Sequence, residues 1–256
     1  ILLSSGRDSS TVIVKHANPC GVSINKSSLS SFKNAFASDP LSAFGGVIAC
    51  NFKISKIIAN EINKNFSEVI LAKGFEKDAL HVLKKKKNLR IIDITKYKPK
   101  NKTTLRSFNN SFLIQDKDKL IFNRNNLRFV TKIKPTKKEL KEIKFACNVS
   151  KFVKSNAIVL TNNFSTIGIG AGQSSRLDSC RIAVQKAKFF QKSKIKNSIA
   201  SSDAFFPFPD GIKSLITAGV KIIVQPGGSI KDQEVIDVAN KAKIKMIFTG
   251  IRHFNH

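Results

Sequence analysis

Val12-Ile13-Val14-Lys15-His16-Ala17-Asn18-Pro19-Cys20-Gly21 decides how this chain is read. The β-branched residues at its start predict a buried strand, and Asn18, Pro19 and Gly21 predict a turn that ends it. A cation beside an imidazole at the end of such a strand is a proton-transfer pair mounted on a rigid element. Working outward, the pattern predicts a short helix over 29–37, ending before Asp39-Pro40, and a strand over 45–49. Ile54, Ile57, Ile58, Ile62 and Phe66 are spaced as the apolar face of a helix over 53–66. A strand at 69–71, a helix over 76–87 and a strand over 89–94 complete a first α/β unit.

Residues 97–127 are polar and rich in Asn and Lys, with a candidate strand at 111–115, and read as a connection between halves. Thr136-Lys137-Lys138-Glu139 has the spacing of a capping box and predicts a helix running to about 154. The alternation then resumes. Strands are expected at 157–160, 166–169, 198–200, 222–224 and 246–248, and helices at 175–191, 211–218 and 233–242. Such alternation argues for an α/β fold, divided into halves at 1–130 and 131–256. A faint echo of Asp39-Pro40-Leu41-Ser42-Ala43-Phe44-Gly45 in Ser202-Asp203-Ala204-Phe205-Phe206 fits two related halves.

The totals are those of a globular chain able to bury a sizeable core: 256 residues, 41% hydrophobic, mean hydropathy −0.12. No run approaches the roughly 18 apolar residues of a membrane span. Ile1-Leu2-Leu3 is not followed by the apolar core of a signal peptide. The first residue is Ile and the only Met is Met246, so we expect a piece of a longer product.

The net charge of +28 is extreme, yet 37 of the 45 basic residues are Lys strewn through every segment. The one block is Lys84-Lys85-Lys86-Lys87. A nucleic-acid binder clusters its charge and uses Arg for bidentate contacts, so biased composition explains the charge better than a nucleic-acid role. The net field still favours anionic small molecules. Cys20, Cys50, Cys147 and Cys180 are widely separated, form no C-x-x-C pair, and predict buried thiols in a reducing, cytoplasmic setting.

Five segments carry candidate chemistry. Lys15-His16 supplies a base and a cation able to stabilise an oxyanion. Cys20 and Pro19 near His16 raise a zinc-deaminase reading, but its H-x-E and P-C-x-x-C signatures are missing, so zinc catalysis is not expected. Gly168-Ile169-Gly170-Ala171-Gly172 and Pro226-Gly227-Gly228-Ser229 each join a strand to a helix; they read as tight turns or as backbone cradles for an anion. Phe205-Phe206-Pro207-Phe208-Pro209-Asp210 reads as an aromatic wall for a flat ligand. Arg252-His253-Phe254-Asn255-His256 reads as a docked tail that grips a phosphate.

Taken together, V-I-V-K-H-A-N-P-C-G, D-P-L-S-A-F-G-G-V-I-A, K-F-V-K-S-N-A-I-V, T-I-G-I-G-A-G-Q, S-S-D-A-F-F-P-F, Q-P-G-G-S-I and the R-H-F-x-H ending resemble the transformylase domain of the bifunctional purine biosynthesis proteins. The resemblance runs from about Val12 to His256. It implies two cytidine-deaminase-like α/β/α subdomains without zinc, and formyl transfer from 10-formyltetrahydrofolate to 5-aminoimidazole-4-carboxamide ribonucleotide (AICAR). It implies His16 as general base, Lys15 stabilising developing charge, and Asn156 orienting the reacting centre. It further implies Arg252 and Phe44 on the nucleotide, and Arg176, Pro207, Phe208 and Asp210 around the folate. A homodimer with active sites at its interface and a bound potassium ion in some relatives also come with the resemblance, which extends to no nucleic-acid or membrane partner.

Against the family pattern, Pro209 stands where Arg is usual, and this stretch is expected to start after the family's upstream Arg-Tyr-Gly-x-Asn-Pro-His-Gln element and the cyclohydrolase domain before it. A truncated non-catalytic homologue and, on charge alone, a basic nucleic-acid-binding module are the competing readings.

Overall fold

The computed structural model describes residues 8–98, 103–118, 122 and 124–255; Ile1-Leu2-Leu3 and His256 of the segments above lie outside them. The first half opens on a hairpin, β1 (Ser9–Lys15) and β2 (Asn18–Asn25). Then come α1 (Ser28–Ser38), α2 (Pro40–Ala43), β3 (Gly46–Cys50), α3 (Lys56–Asn63), β4 (Ser67–Ala72), α4 (Lys77–Leu83) and β5 (Arg90–Asp93). The second half has a leading helix, α5 (Lys137–Ser150), and then a hairpin, β9 (Ile158–Asn162) and β10 (Ser165–Gly170). It continues with α6 (Arg176–Phe190), β11 (Ile199–Ser202), α7 (Pro209–Ala218), β12 (Ile222–Gln225), α8 (Asp232–Lys241) and β13 (Lys245–Phe248). Between the halves lie a two-stranded ribbon, β6 (Thr103–Phe108) with β7 (Ser111–Asp116), and a short strand β8 (Arg128–Phe129).

One mixed sheet joins everything but that ribbon, in the order β5-β4-β3-β1-β2-β10-β9-β11-β12-β13-β8. The two halves share one plan. In each, a hairpin is followed by three parallel strands, and the first of these pairs antiparallel with the hairpin's leading strand. Both hairpins turn on two residues of positive φ: His16 (49°) and Ala17 (62°) in one, Asn163 (48°) and Phe164 (55°) in the other. That is the geometry of the tight hairpin turns whose twist matches the flanking strands. The duplication is therefore real at the level of topology. The sequence echo does not mark it, because Asp39–Phe44 precedes β3 while Ser202–Phe206 begins at the end of β11.

The turn itself falls earlier than Asn18-Pro19-Gly21 suggests, and those residues belong to β2. Each has a use there. Asn18 accepts a hydrogen bond from Lys154 N at 2.9 Å. Pro19 sits where the register slips, Ile13 facing Gly21 and Val14 facing Pro19, and a bulge tolerates a residue without an N–H. At Gly21 a Cβ would lie 1.9 Å from the Ala35 carbonyl oxygen, so only glycine lets α1 lie flush on β2.

Helices cover both faces. Ile13, Ile48 and Ile70 point toward α1, α3 and α4, packing with Phe32, Ile58 and Ile62. Leu160, Ile167 and Ile223 pack under α6, α7 and α8 with Ala183, Leu215 and Val235. On the opposite face α5 straddles the junction: Phe145 and Val149 meet Val12 and Val22 of the first hairpin and Val159 and Ile169 of the second. Its other edge, Ile143, Ala146 and Cys147, covers Ile199, Ile222, Val224 and Ile247. Full burial of such side chains stabilises by roughly 1.5–3 kcal/mol each. The capping box forms as its spacing predicts: Glu139 N donates to Thr136 Oγ1 at 3.2 Å, and Thr136 N donates to Glu139 Oε2 at 2.7 Å.

The seam between halves is polar. Ser23 and Ser165 are paired across it, their hydroxyls 2.7 Å apart. Val22 N donates to Thr166 Oγ1, which donates to Ser38 Oγ, both at 2.9 Å. Lys186 on α6 reaches Asp39 at 2.7 Å. Burial alone would raise the Asp39 carboxyl, but hydrogen bonds from Lys186 and Ser42, with the Lys186 charge, hold it below the usual carboxylate range.

Candidate functional site

The second half builds a cavity of about 570 Å³ at the C-terminal end of β11, between the start of α6, the Phe-rich segment and the chain's tail. Open α/β sheets bind ligands in this position. Six of the sequence-derived residues meet there: Asn156, Arg176, Pro207, Phe208, Asp210 and Arg252. The aromatic segment divides its labour. Phe206 is 1% exposed and packs into the core beside Gly211, its N–H held by Gln225 Oε1 at 2.8 Å. Phe205 and Phe208 face the cavity: the Arg252 guanidinium stacks 4.7 Å from the Phe205 centroid and Lys231 Nζ stands 5.6 Å from that of Phe208. Pro209, the departure from the family pattern, is the first residue of α7, where its fixed φ suits helix entry and its missing N–H costs nothing. Asp210 follows in the first turn.

Beneath the cavity lies a hydrogen-bonded network that the sequence did not reveal. Its node is Asp203, a carboxylate with no solvent exposure. Arg176 Nη1 donates to Asp203 Oδ1 at 2.5 Å and to Ser202 Oγ at 2.7 Å, and Arg176 Nη2 donates to Asn156 Oδ1 at 2.6 Å. Asn156 is fixed from its other end too, Nδ2 donating to the carbonyls of Gln173 (2.9 Å) and Ser174 (3.1 Å). Ser155 Oγ donates to Asp203 Oδ2 at 2.6 Å. Arg176 is thus a buried cation whose charge is already paired, whereas Arg252 is exposed and pairs with no carboxylate among the described residues. A guanidinium presented in that way can take an anion. It lies against the Pro226-Gly227-Gly228 turn, 3.3 Å from where a Gly228 Cβ would be.

Gly168 and Gly170 do not form a ligand cradle. They are strand residues of β10, and a Cβ at either would lie 2.2 or 1.9 Å from the Ala183 or Ser179 carbonyl oxygen of α6. They are packing glycines that set the height of the helix carrying Arg176.

Lys15, His16 and Phe44 form a second group, outside the cavity. His16 is exposed at the tip of the first hairpin. Lys15 Nζ donates to the Phe44 carbonyl. The Phe44 ring, 58% exposed, leans on Phe66 with centroids 5.5 Å apart. The Lys154 N–H to Asn18 bond links the two groups, joining residues two positions from Asn156 and two from His16.

All four cysteines are free and buried, and desolvation pushes each thiol up to about 12. Among the described residues no three His, Cys, Asp or Glu side chains converge as a metal site, and no helix is long and apolar enough to cross a membrane.

Comparison with known proteins adds to this geometry. The family model described as AICARFT/IMPCHase bienzyme matches residues 2–186. The bifunctional purine biosynthesis protein PurH of Leptospira biflexa is 46% identical over 245 residues, 95% of this chain and 48% of its own length. That of Thermoanaerobacter sp. (strain X514) is 44% identical over 255 residues, 100% of this chain and 49% of its own. That of Buchnera aphidicola subsp. Schizaphis graminum is 48% identical over 248 residues, 96% and 47%. The chain spans about half the length of these curated relatives. On the family match and on these identities, the chain belongs to the AICARFT/IMPCHase bienzyme family.

Proposed function

We propose that this chain transfers a formyl group from 10-formyltetrahydrofolate, its co-substrate, to the 5-amino group of AICAR, a step of purine biosynthesis. The observation that carries the reading is the cavity uniting an unpaired Arg252, a fixed Asn156 amide and an aromatic wall. Arg252 takes the nucleotide phosphate. Phe208 and Pro207 flank the folate ring, with Asp210 accepting from its N–H groups and Arg176 fixing the cavity wall beneath it. Phe44 packs against the nucleotide.

The AICAR amine is a weak nucleophile, its lone pair delocalised into the ring and carboxamide. Attack on the formyl carbon puts negative charge on the formyl oxygen and leaves an acidic N–H on the amine. His16 takes that proton and returns it to the tetrahydrofolate nitrogen as the carbon–nitrogen bond breaks, Lys15 stabilises the oxyanion, and Asn156 orients the reacting centre. Because His16, Lys15 and Phe44 stand apart from the cavity, the reading has them complete the cavity of a second copy in a homodimer, each copy divided at 1–130 and 131–256 into cytidine-deaminase-like subdomains. The reading also includes a cytoplasmic location and, as in some relatives, bound potassium; no zinc takes part.

The test is tetrahydrofolate release from AICAR and 10-formyltetrahydrofolate by the chain beside His16→Asn. Asparagine keeps the left-handed turn that His16 adopts. Turnover that falls about 10²-fold or more in the variant supports the base role. Equal turnover in both removes it, and no turnover in either favours the non-catalytic homologue.

A further inference from the structure

We propose that Asp203 is a positioning residue that couples the two ligand subsites, so that AICAR and folate each bind more tightly when the other is present. The inference rests on the reading above and extends it from which residues touch the ligands to how the subsites communicate.

Asp203 holds three separate elements at once. Its Oδ1 takes Arg176 from α6, its Oδ2 takes Ser155 from the loop after α5, and its backbone carbonyl accepts from His253 N at 2.9 Å. Ser155 also binds the tail: its Oγ accepts from Asn255 N at 3.1 Å, and its N–H donates to the Asn255 carbonyl at 3.0 Å. The tail residue next to His253 is Arg252, the nucleotide end of the cavity. The helix start that Arg176 secures carries Leu177 and faces Phe208 and Asp210, the folate end. Asn156, between them, is held by the same guanidinium at 2.6 Å.

Asp203 therefore bonds both ends directly, Arg176 through Oδ1 and the tail through its carbonyl. A parallel path runs from Arg176 through Asn156 and its neighbour Ser155 to Asn255, and Asp203 Oδ2 holds that Ser155 as well. Phosphate capture by Arg252 fixes the tail, which fixes Ser155 and Asp203, which fixes Arg176 and the helix start. A ligand arriving second finds those groups already ordered and bears less of their entropy cost.

Titration calorimetry of the whole chain with AICAR, alone and with saturating tetrahydrofolate, and the reverse, reads the coupling. Wild type should show at least about fivefold mutual tightening, the same in both directions. In Asp203→Asn, which loses the charge but not the shape, the factor should fall to within about twofold of unity. Ser155→Ala removes the side-chain bonds to Asp203 and Asn255 while leaving the Arg176 pair and the backbone bonds to the tail, and should at least halve the coupling factor; it carries the test if Asp203→Asn does not fold. Wild type binding both ligands without mutual effect overturns the coupling and leaves formyl transfer standing, as does undiminished coupling in both variants. Wild type binding neither ligand overturns both.

Discussion

Replacing Gly170 with alanine drives a methyl group into the backbone of α6. The new Cβ would stand 1.9 Å from the Ser179 carbonyl oxygen, where ordinary contact begins at 3.4 Å, so the two elements must separate by about 1.5 Å. The strand cannot yield. All six residues of β10 are buried, and the strand lies in mid-sheet between β9 and β2. The helix must therefore ride up, and it carries Arg176 with it. Bonds of 2.5 Å to Asp203 and 2.7 Å to Ser202 do not survive a shift of that size. Overpacking costs about 1–3 kcal/mol. Loss of a buried pair, in full, costs about 3–5 kcal/mol. Partial relaxation puts the total at roughly 3 kcal/mol or more, a large share of a stability of about 5–15 kcal/mol. In urea, with a slope near the upper end of about 1–3 kcal/mol/M, the midpoint should fall by about 1 M or more. Gly21→Ala meets the Ala35 carbonyl oxygen at the same 1.9 Å in the other half and should cost only the overpacking part. A Gly170→Ala midpoint within about 0.2 M of wild type would refute the packing argument.

Three further outcomes follow from the same contacts. Asp39 has its carboxyl held below 3.8, so its clamp on Lys186 contributes fully above that value and is lost as pH falls through the lower folded value. Lys186→Met should lower stability at neutral pH and flatten this acid limb in urea melts between about pH 6 and about pH 2; an unchanged limb would show the clamp contributes nothing. With every thiol buried and pushed up to about 12, iodoacetamide should label no cysteine in the native chain and all four once it is unfolded, as read by mass spectrometry. Native labelling of Cys147 or Cys180 would mean that the second core opens. Arg252→Ala should weaken AICAR binding about tenfold or more and leave tetrahydrofolate binding to the isolated subsite nearly unchanged, a split that equilibrium titration resolves.

Much of this architecture is written in local apolar periodicity, which is why the order of strands and helices from β3 to β5 and from α5 to β13 could be read directly. β2 could not, because its Asn18, Pro19 and Gly21 serve a long-range contact, a bulge and a helix approach, none of which leaves a local mark. The ribbon β6–β7 was read only in part: all its residues are exposed, so no buried face imposes a period of two. For Gly168 and Gly170 the sequence leaves tight turn and anion cradle both open, because close helix packing and ligand approach demand the same residue. At the site, the resemblance supplied the residues that meet in the cavity. Asp203 leaves no mark of its role in Ser201-Ser202-Asp203-Ala204 alone, since that role depends on Arg176, 27 positions away, and on a tail beyond that. An acid ending a strand of Ser and Ala, at the sheet edge where ligands bind, is the signal that could have found it.

The central claim is that the formyl carbon ends on the AICAR amine. The most direct measurement supplies the chain with AICAR and 10-formyltetrahydrofolate labelled isotopically in the formyl group, and locates the label by mass spectrometry and NMR. The account predicts labelled formyl nitrogen-bound on the AICAR product, formed in step with tetrahydrofolate and lost in His16→Asn. Label released only as free formate, or retained on the folate, would contradict it.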